Sequence, residues 1–402
     1  MRRFLTLLTV PALLLSAGCG SEVNVLDMGA TGDGVTDDSP AINACLEKGG
    51  KIYIPAGTYM IGSTLMIGSD THLICAPEAH LKIMSGAQKG PEDFLLSCRK
   101  ESENITVEGG IWDGNCSGND RGDDLFNTDA TTGTMLNFDG VKGLKLLGMH
   151  LRNPLCYNVR FCHASDVEIG NVTLDSDVII SNQDGFHFVG YCEDFLIHDI
   201  IGTAGSPNDD FLAFNADDCI TRQENFGIVR GPIRNFEIRN IHSDECYCFI
   251  RILSCESEIS HIHIDGVTGQ CISTFLNMDA ARYCRTPVFK EEDYPCGVGN
   301  VSDILIENVN VTARKHRGPA LVMETNADNF EIHNFSMAKD TAERIRFRNV
   351  DGIDLKVSGL TGVSATEDAD ILSGNFEKTL SHADTLQFRC MGFESLVISK
   401  AE

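Results

Sequence analysis

"SEISHIHIDGVTG", residues 257–269, sets apolar Ile259, Ile262, Ile264 and Val267 among polar neighbours and breaks at an Asp-Gly pair. Alternation of period two marks a strand with one face on a core. The pattern recurs on both sides, in "FEIRNIHSDECYCFIRIL" (236–253) and "VSDILIENVNV" (301–311). It also recurs upstream, in "ENITVEGGIWDGN" (103–115), "YNVRFCHASDVEIGNVTL" (157–174) and "DGFHFVGYCEDFLIHDI" (184–200). Where no insertion intervenes, corresponding strands lie roughly 22–27 residues apart, which is a solenoid period. Asn171, Asn240 and Asn308 stand at the breaks, where sharp corners need a residue that tolerates left-handed backbone. The expectation is an all-β protein, a right-handed parallel β-helix in which each coil hydrogen-bonds only its neighbours.

Composition agrees. The 402 residues include 38 Gly, only 7% aromatic residues and a single tryptophan, Trp112, as expected of a turn-rich β protein. The formal charge of −26 is spread along the chain and opposes nucleic acid and anionic lipid as partners.

The first residues, "MRRFLTLLTVPALLLSAGCG", join a basic start to a short apolar run and then small residues ending in Cys19. This is a secretory leader too short to span a membrane. "LSAGC" resembles a bacterial lipobox, which implies removal of residues 1–18, lipidation at Cys19 and a short tether over 19–22. The expected location is the bacterial cell envelope, lipid-anchored or secreted, with membrane contact only through that anchor. With Cys19 set aside, the 16 cysteines leave an odd number in no metal-site spacing. Cys98, Cys162, Cys219, Cys255 and Cys390 sit among strand residues as small hydrophobes, and Cys284 with Cys296 is the candidate disulfide.

Residues 23–95 read as a cap and first coils, and 96–402 as the β-helix with its groove. In the cap a Gly/Asp loop leads to a short helix near Pro40, which would shield the first coil's open edge. Asp37, Asp38 and Ser39 are candidates for its N-cap, a reading preferred over a calcium loop. Insertions near 116–134 and 279–300 are placed to shape binding subsites.

Two segments hold acids one repeat apart: Asn182, Asp184 and Gly185 in "SNQDGFHFVG" (181–190), then Asp209 and Asp210 in "SPNDDFLAFNADD" (206–218). On a solenoid, residues one coil apart lie about 5 Å apart, so these acids converge in one groove. Clustered carboxylates repel, and one should keep its proton near neutral pH. That supplies the acid and base of glycosidic cleavage. Each residue also has a plain structural use. Asp184 could form a turn, Asp209–Asp210 could cap a loop, and His187 could sit satisfied on its strand. Arg251 could pair with Asp244 or Glu245, and Asp217–Asp218 could be a solvated turn.

The opening "VNVLDMGATGDGVTDDSPAI" (23–42) resembles that of pectate-lyase-superfamily β-helix proteins. "VEGGIWDGN", "LRNPLCYNVRFCHASDVEIGNVTL", "NQDGFHF", "NDDFLAF" and "HSDECYCFIRIL" then follow the landmarks of family 28 glycoside hydrolases, the polygalacturonase-like enzymes. The resemblance covers most of residues 23–310. It implies Asp209 as general acid, Asp184 and Asp210 as the water-activating pair, and Arg251 as a substrate clamp. Asn182, His187 and Asn215 are further candidate substrate contacts, with no metal or other cofactor. Two departures stand out: Phe226 lies where the family has the histidine of G-H-G, and Leu253 replaces the lysine of R-I-K. Both weaken the case for a galacturonate carboxylate at the cleavage position. The expected activity is inverting hydrolysis of a polysaccharide or oligosaccharide by a monomer. The alternatives are a polysaccharide lyase acting by β-elimination on a uronic-acid glycan and a non-catalytic glycan-binding lipoprotein.

Overall fold

The computed structural model describes residues 22–122, 129–203, 205–218, 229–280, 298–313 and 321–338, together with strands at 345–347, 352–358, 385–391 and 395–399. Cys19, Cys219, Phe226, Cys284, Cys296, residues 123–128 of the first anticipated insertion and most of the second lie outside the described residues. The strands join in a right-handed parallel β-helix whose coils pair in register. Ile169, Ile197, Ile238, Ile264, Ile306 and Ile332 occupy one column, each facing its counterpart on the next coil. All six are buried, because period-two alternation turns the same position of every coil into the core. Phe138, Phe161, Phe188 and Phe214 stack inside a second wall at 5.8, 5.4 and 5.2 Å between ring centroids. Such offset stacks add specific geometry to burial and hold that wall in place.

The corners follow the asparagine reading. Asn171, Asn240 and Asn308 all adopt left-handed backbone, at φ 55°, 55° and 57°. Asp199, Gly266 and Asn334 do the same in the intervening coils of that column. The Asn240 amide donates to Asp199 Oδ1 at 3.0 Å, and the Asn334 amide to Asn308 Oδ1 at 3.0 Å. The polar side chains at each bend thus satisfy one another along the axis.

Helix Ser39–Leu46 closes the first coil and buries Ile42, Cys45 and Leu46. Asp38 occupies its N-cap, but no side chain caps the helix. The Asp38 carboxylate instead accepts from the Thr31 and Gly32 amides at 2.6 and 3.1 Å. Asp37 accepts from the amides of Ser39 and Gly62, both at 3.0 Å. These acids fold the Gly/Asp loop back onto the helix and its neighbouring strand.

The far end departs from a uniform solenoid. Strand Thr385–Met391 pairs antiparallel with Gly352–Ser358, and Ser395–Ser399 pairs antiparallel with Thr385–Met391. The parallel coil expected through residue 402 therefore stops earlier among the described strands. The described cysteines from Cys45 to Cys271 are buried and form no disulfide with one another.

Candidate active site

The short strand Phe186–Phe188 lies parallel to Asp210–Asn215, with His187 opposite Ala213. The pairing extends backward, since the Gly185 amide donates to the Asp210 carbonyl at 2.9 Å. A Cβ on Gly185 would lie 2.4 Å from the Phe211 carbonyl oxygen, so only glycine permits this approach. The approach brings Asp184, Asp209 and Asp210 together, with one oxygen of each within 4.8 Å of the others. Asp184 and Asp210 are buried, whereas Asp209 is half-buried and stands closest to solvent.

Burial pushes the Asp209 carboxyl up to about 6, helped by the charge of Asp184 and opposed by Arg251. Burial also raises Asp210 well above the usual carboxylate range, against the pull of Arg251. Arg251 Nη1 lies 3.6 Å from Asp210 Oδ2, and its Nη2 donates to Asp279 Oδ1 at 3.0 Å. Asp209 therefore gives up its proton near pH 6, while Asp210 keeps its own further up the pH range than a free carboxyl does.

His187 is buried between two acids. Its Nδ1 lies 2.7 Å from Asp184 Oδ2 and its Nε2 lies 3.2 Å from Asp218 Oδ2. Its ring stacks on Tyr157 at 3.9 Å. Burial alone would lower its pKa, but the hydrogen bonds and charges of Asp184 and Asp218 outweigh burial and raise it to about 9. The imidazole is therefore a cation at neutral pH that donates to Asp184. With both ring nitrogens protonated, the Asn215 amide beside Nε2 (3.5 Å) must present its oxygen.

Asn182 takes left-handed backbone at φ 64°, which turns its amide toward Asp209 Oδ2 at 3.5 Å. Arg121, from the first insertion, donates to Asn182 Oδ1 at 3.2 Å and to the Ser181 carbonyl at 2.8 Å. Buried Gln183 donates to the Pro154 carbonyl at 2.7 Å and fixes the loop from below. All seven residues singled out in the sequence from Asn182 to Arg251 thus surround one cleft.

Other positions differ from the sequence reading. Arg251 pairs with Asp210 and Asp279 rather than Asp244 or Glu245. Asp217 and Asp218 are no solvated turn. Asp217 is fully buried and accepts from the amides of Cys255, Glu256 and Ser257 at 2.6, 2.8 and 2.9 Å, while Asp218 faces His187. Tyr247 was not anticipated. Register breaks on either side of Cys246 leave it exposed, and its amide donates to the Asp209 carbonyl at 3.2 Å. β-Bulges beside active sites re-aim side chains in this way. An aromatic residue between buried Cys246 and Cys248 was the available signal.

Residues 22–271 match the family model described as "Rhamnogalacturonase A/epimerase, pectate lyase-like". The chain belongs to this family. The resemblance to polygalacturonase-like proteins read from the motifs therefore stands. The chain is 26% identical over 313 residues to a probable rhamnogalacturonase C of Aspergillus flavus, across 74% of the chain and 57% of that protein. It is 26% identical over 210 residues to the mannuronan C5-epimerase AlgE2 of Azotobacter vinelandii, across 44% of the chain and 21% of that protein. The chain spans between 6% and 57% of the length of the curated relatives it matches. The fold is similar to that of an exopolygalacturonase from Thermotoga maritima, with TM-score 0.56, 14% identity and coverage of 92% and 94% of the two chains.

Of the two departures read from the sequence, the one beside Arg251 lies among the described residues. Leu253, at the position of the usual lysine, is fully buried, and the guanidinium is shared between two aspartates. The carboxylate trio could ligate a cation by spacing alone, yet Arg251 and the His187 imidazolium already supply positive charge there.

Proposed function

We propose that this protein hydrolyses a glycosidic bond in a polysaccharide or oligosaccharide, with inversion at the anomeric carbon. The observation that carries the reading is the convergence of Asp184, Asp209 and Asp210, from two neighbouring coils, in one cluster that Asp209 opens toward solvent. Asp209, the most solvent-accessible of the three and raised to about 6, donates the proton to the leaving oxygen. Asp184 takes the proton of the attacking water, and Asp210, which burial keeps protonated, orients that water. The nearest oxygens lie within 4.8 Å, tighter than the roughly 6.5–9.5 Å between carboxyls of a standard inverting pair. The water accordingly sits between the Asp184–Asp210 pair and the sugar, not in the gap beside Asp209. His187 orients Asp184 by donating to its carboxylate from Nδ1.

The substrate class follows from charge. Arg251 is already engaged by Asp279 and lies against Asp210, and Leu253 adds no second cation, so the sugar beside Arg251 is neutral rather than a uronate. Exposed Tyr247, next to Asp209, offers an apolar ring face to that sugar.

The test is incubation of the purified protein with a panel of neutral and uronate-containing glycans. The readouts are new reducing ends, ultraviolet absorbance and, by proton NMR, the anomer first released. Reducing ends of inverted configuration without absorbance are expected. An absorbing unsaturated product would replace hydrolysis by β-elimination, and saturable binding without turnover would replace it by glycan binding alone.

A further inference from the structure

Apart from the aspartate cleft, one other trio of metal-competent side chains converges among the described residues, at the corner just past Arg160. Asp139 and Cys162 are direct partners in the parallel ladder, so their side chains leave the sheet on the same side. His163 follows in left-handed backbone, at φ 44°, and its ring turns back toward both. His163 Nδ1 lies 2.9 Å from Asp139 Oδ1 and 3.2 Å from Cys162 Sγ. All three donor atoms fall within 4.8 Å of one another. Tyr191, on the next coil, stacks on the His163 ring at 5.1 Å and an interplanar angle of 10°, which fixes its plane. Cys162 is buried, while the His163 side chain is 46% exposed, so the trio opens to solvent on one side.

We propose that Asp139, Cys162 and His163 bind a borderline divalent cation of the zinc class, with water as fourth ligand. One oxygen, one sulfur and one imidazole nitrogen suit such an ion, and a thiolate disfavours calcium or magnesium. Tetrahedral zinc with bonds of about 2.0–2.3 Å sets its ligand atoms roughly 3.4–3.6 Å apart. The two contacts of His163 Nδ1, at 2.9 and 3.2 Å, reach that spacing by opening roughly half an ångström or less. On binding, the Cys162 thiol gives its proton to solvent, and His163 ligates through Nδ1 as a neutral imidazole with its proton on Nε2. Thiolate and carboxylate then balance the ion's double charge. Stacking by Tyr191 and the nearby Lys100, whose Nζ is 3.9 Å from the second Asp139 oxygen, form the surrounding shell.

The site is tested on the reduced full chain by titration with Co²⁺, followed by competition with Zn²⁺. One equivalent of cobalt should produce a thiolate-to-cobalt charge-transfer band in the near ultraviolet, and zinc should displace it. Cys162→Ala should abolish the band. His163→Asn, in which the new residue tolerates the left-handed backbone, should weaken affinity at least about 100-fold without loss of the circular-dichroism signal of the folded chain. A wild-type chain without the band, or a full-strength band in Cys162→Ala, would overturn the proposal. Should Cys162→Ala not fold, unchanged cobalt affinity in His163→Asn would overturn it equally.

Discussion

At the scale of single residues, the cleft turns on where protons reside. A general acid must be protonated, so catalysis by Asp209 falls as pH rises through about 6. The expected kcat/KM profile declines above that value, and a rate still rising between neutrality and mild alkali would remove Asp209 from the acid role. Asp209→Asn should lower kcat at least about 100-fold on an active glycan, within the range of lost acid catalysis. His187 gives an independent readout in stability. Its pKa rises on folding from 6.5 to about 9, so its contribution is complete below about 6.5 and lost as pH rises through about 9. Thermal unfolding of the wild type should fall across that window, whereas His187→Gln should show a flatter dependence. Equal slopes in the two proteins would mean that the imidazole is not charged in the folded chain.

At the scale of the element, the corners carry the coil. Asn240 holds φ 55° and donates to Asp199 Oδ1 at 3.0 Å. Alanine there loses the bond and pays the left-handed penalty of about 1–2 kcal/mol. Asn240→Ala should shift the urea midpoint down by an amount equivalent to about 1–3 kcal/mol, and Asn240→Gly by less. Equal loss from both substitutions would place the whole effect in the hydrogen bond. The bulged segment around Tyr247 plays a different part. By breaking register it presents a ring where a regular strand would not, beside the backbone of Asp209.

At the scale of the whole molecule, the net charge of −26 and the leader expected from the sequence concern location rather than fold. The described residues contain no helix long and apolar enough to cross a membrane. We propose that the protein is anchored through lipidated Cys19. Cys19→Ala should move it from the membrane to the soluble fraction, because the lipid is then the only attachment. A variant that still sediments with membranes would exclude that anchor.

Much of this protein is legible without coordinates. Period-two alternation, repeat spacing and asparagine corners specify a parallel β-helix, because each is a local consequence of one coil stacking on the next. The same spacing put Asp184 one coil from Asp209 and Asp210, and their convergence follows from that register. Tertiary structure decided what surrounds them. Asp279 lies a further coil from Arg251, and Asp218 reaches His187 across the cleft, so neither pairing follows from a short motif. Asp217, the neighbour of Asp218, is instead consumed by three amides some 40 residues away. The depth at which each carboxylate is buried, and hence which one keeps a proton, depends on how loops cover the groove. That is a property of three-dimensional enclosure, to which residue type and spacing are blind.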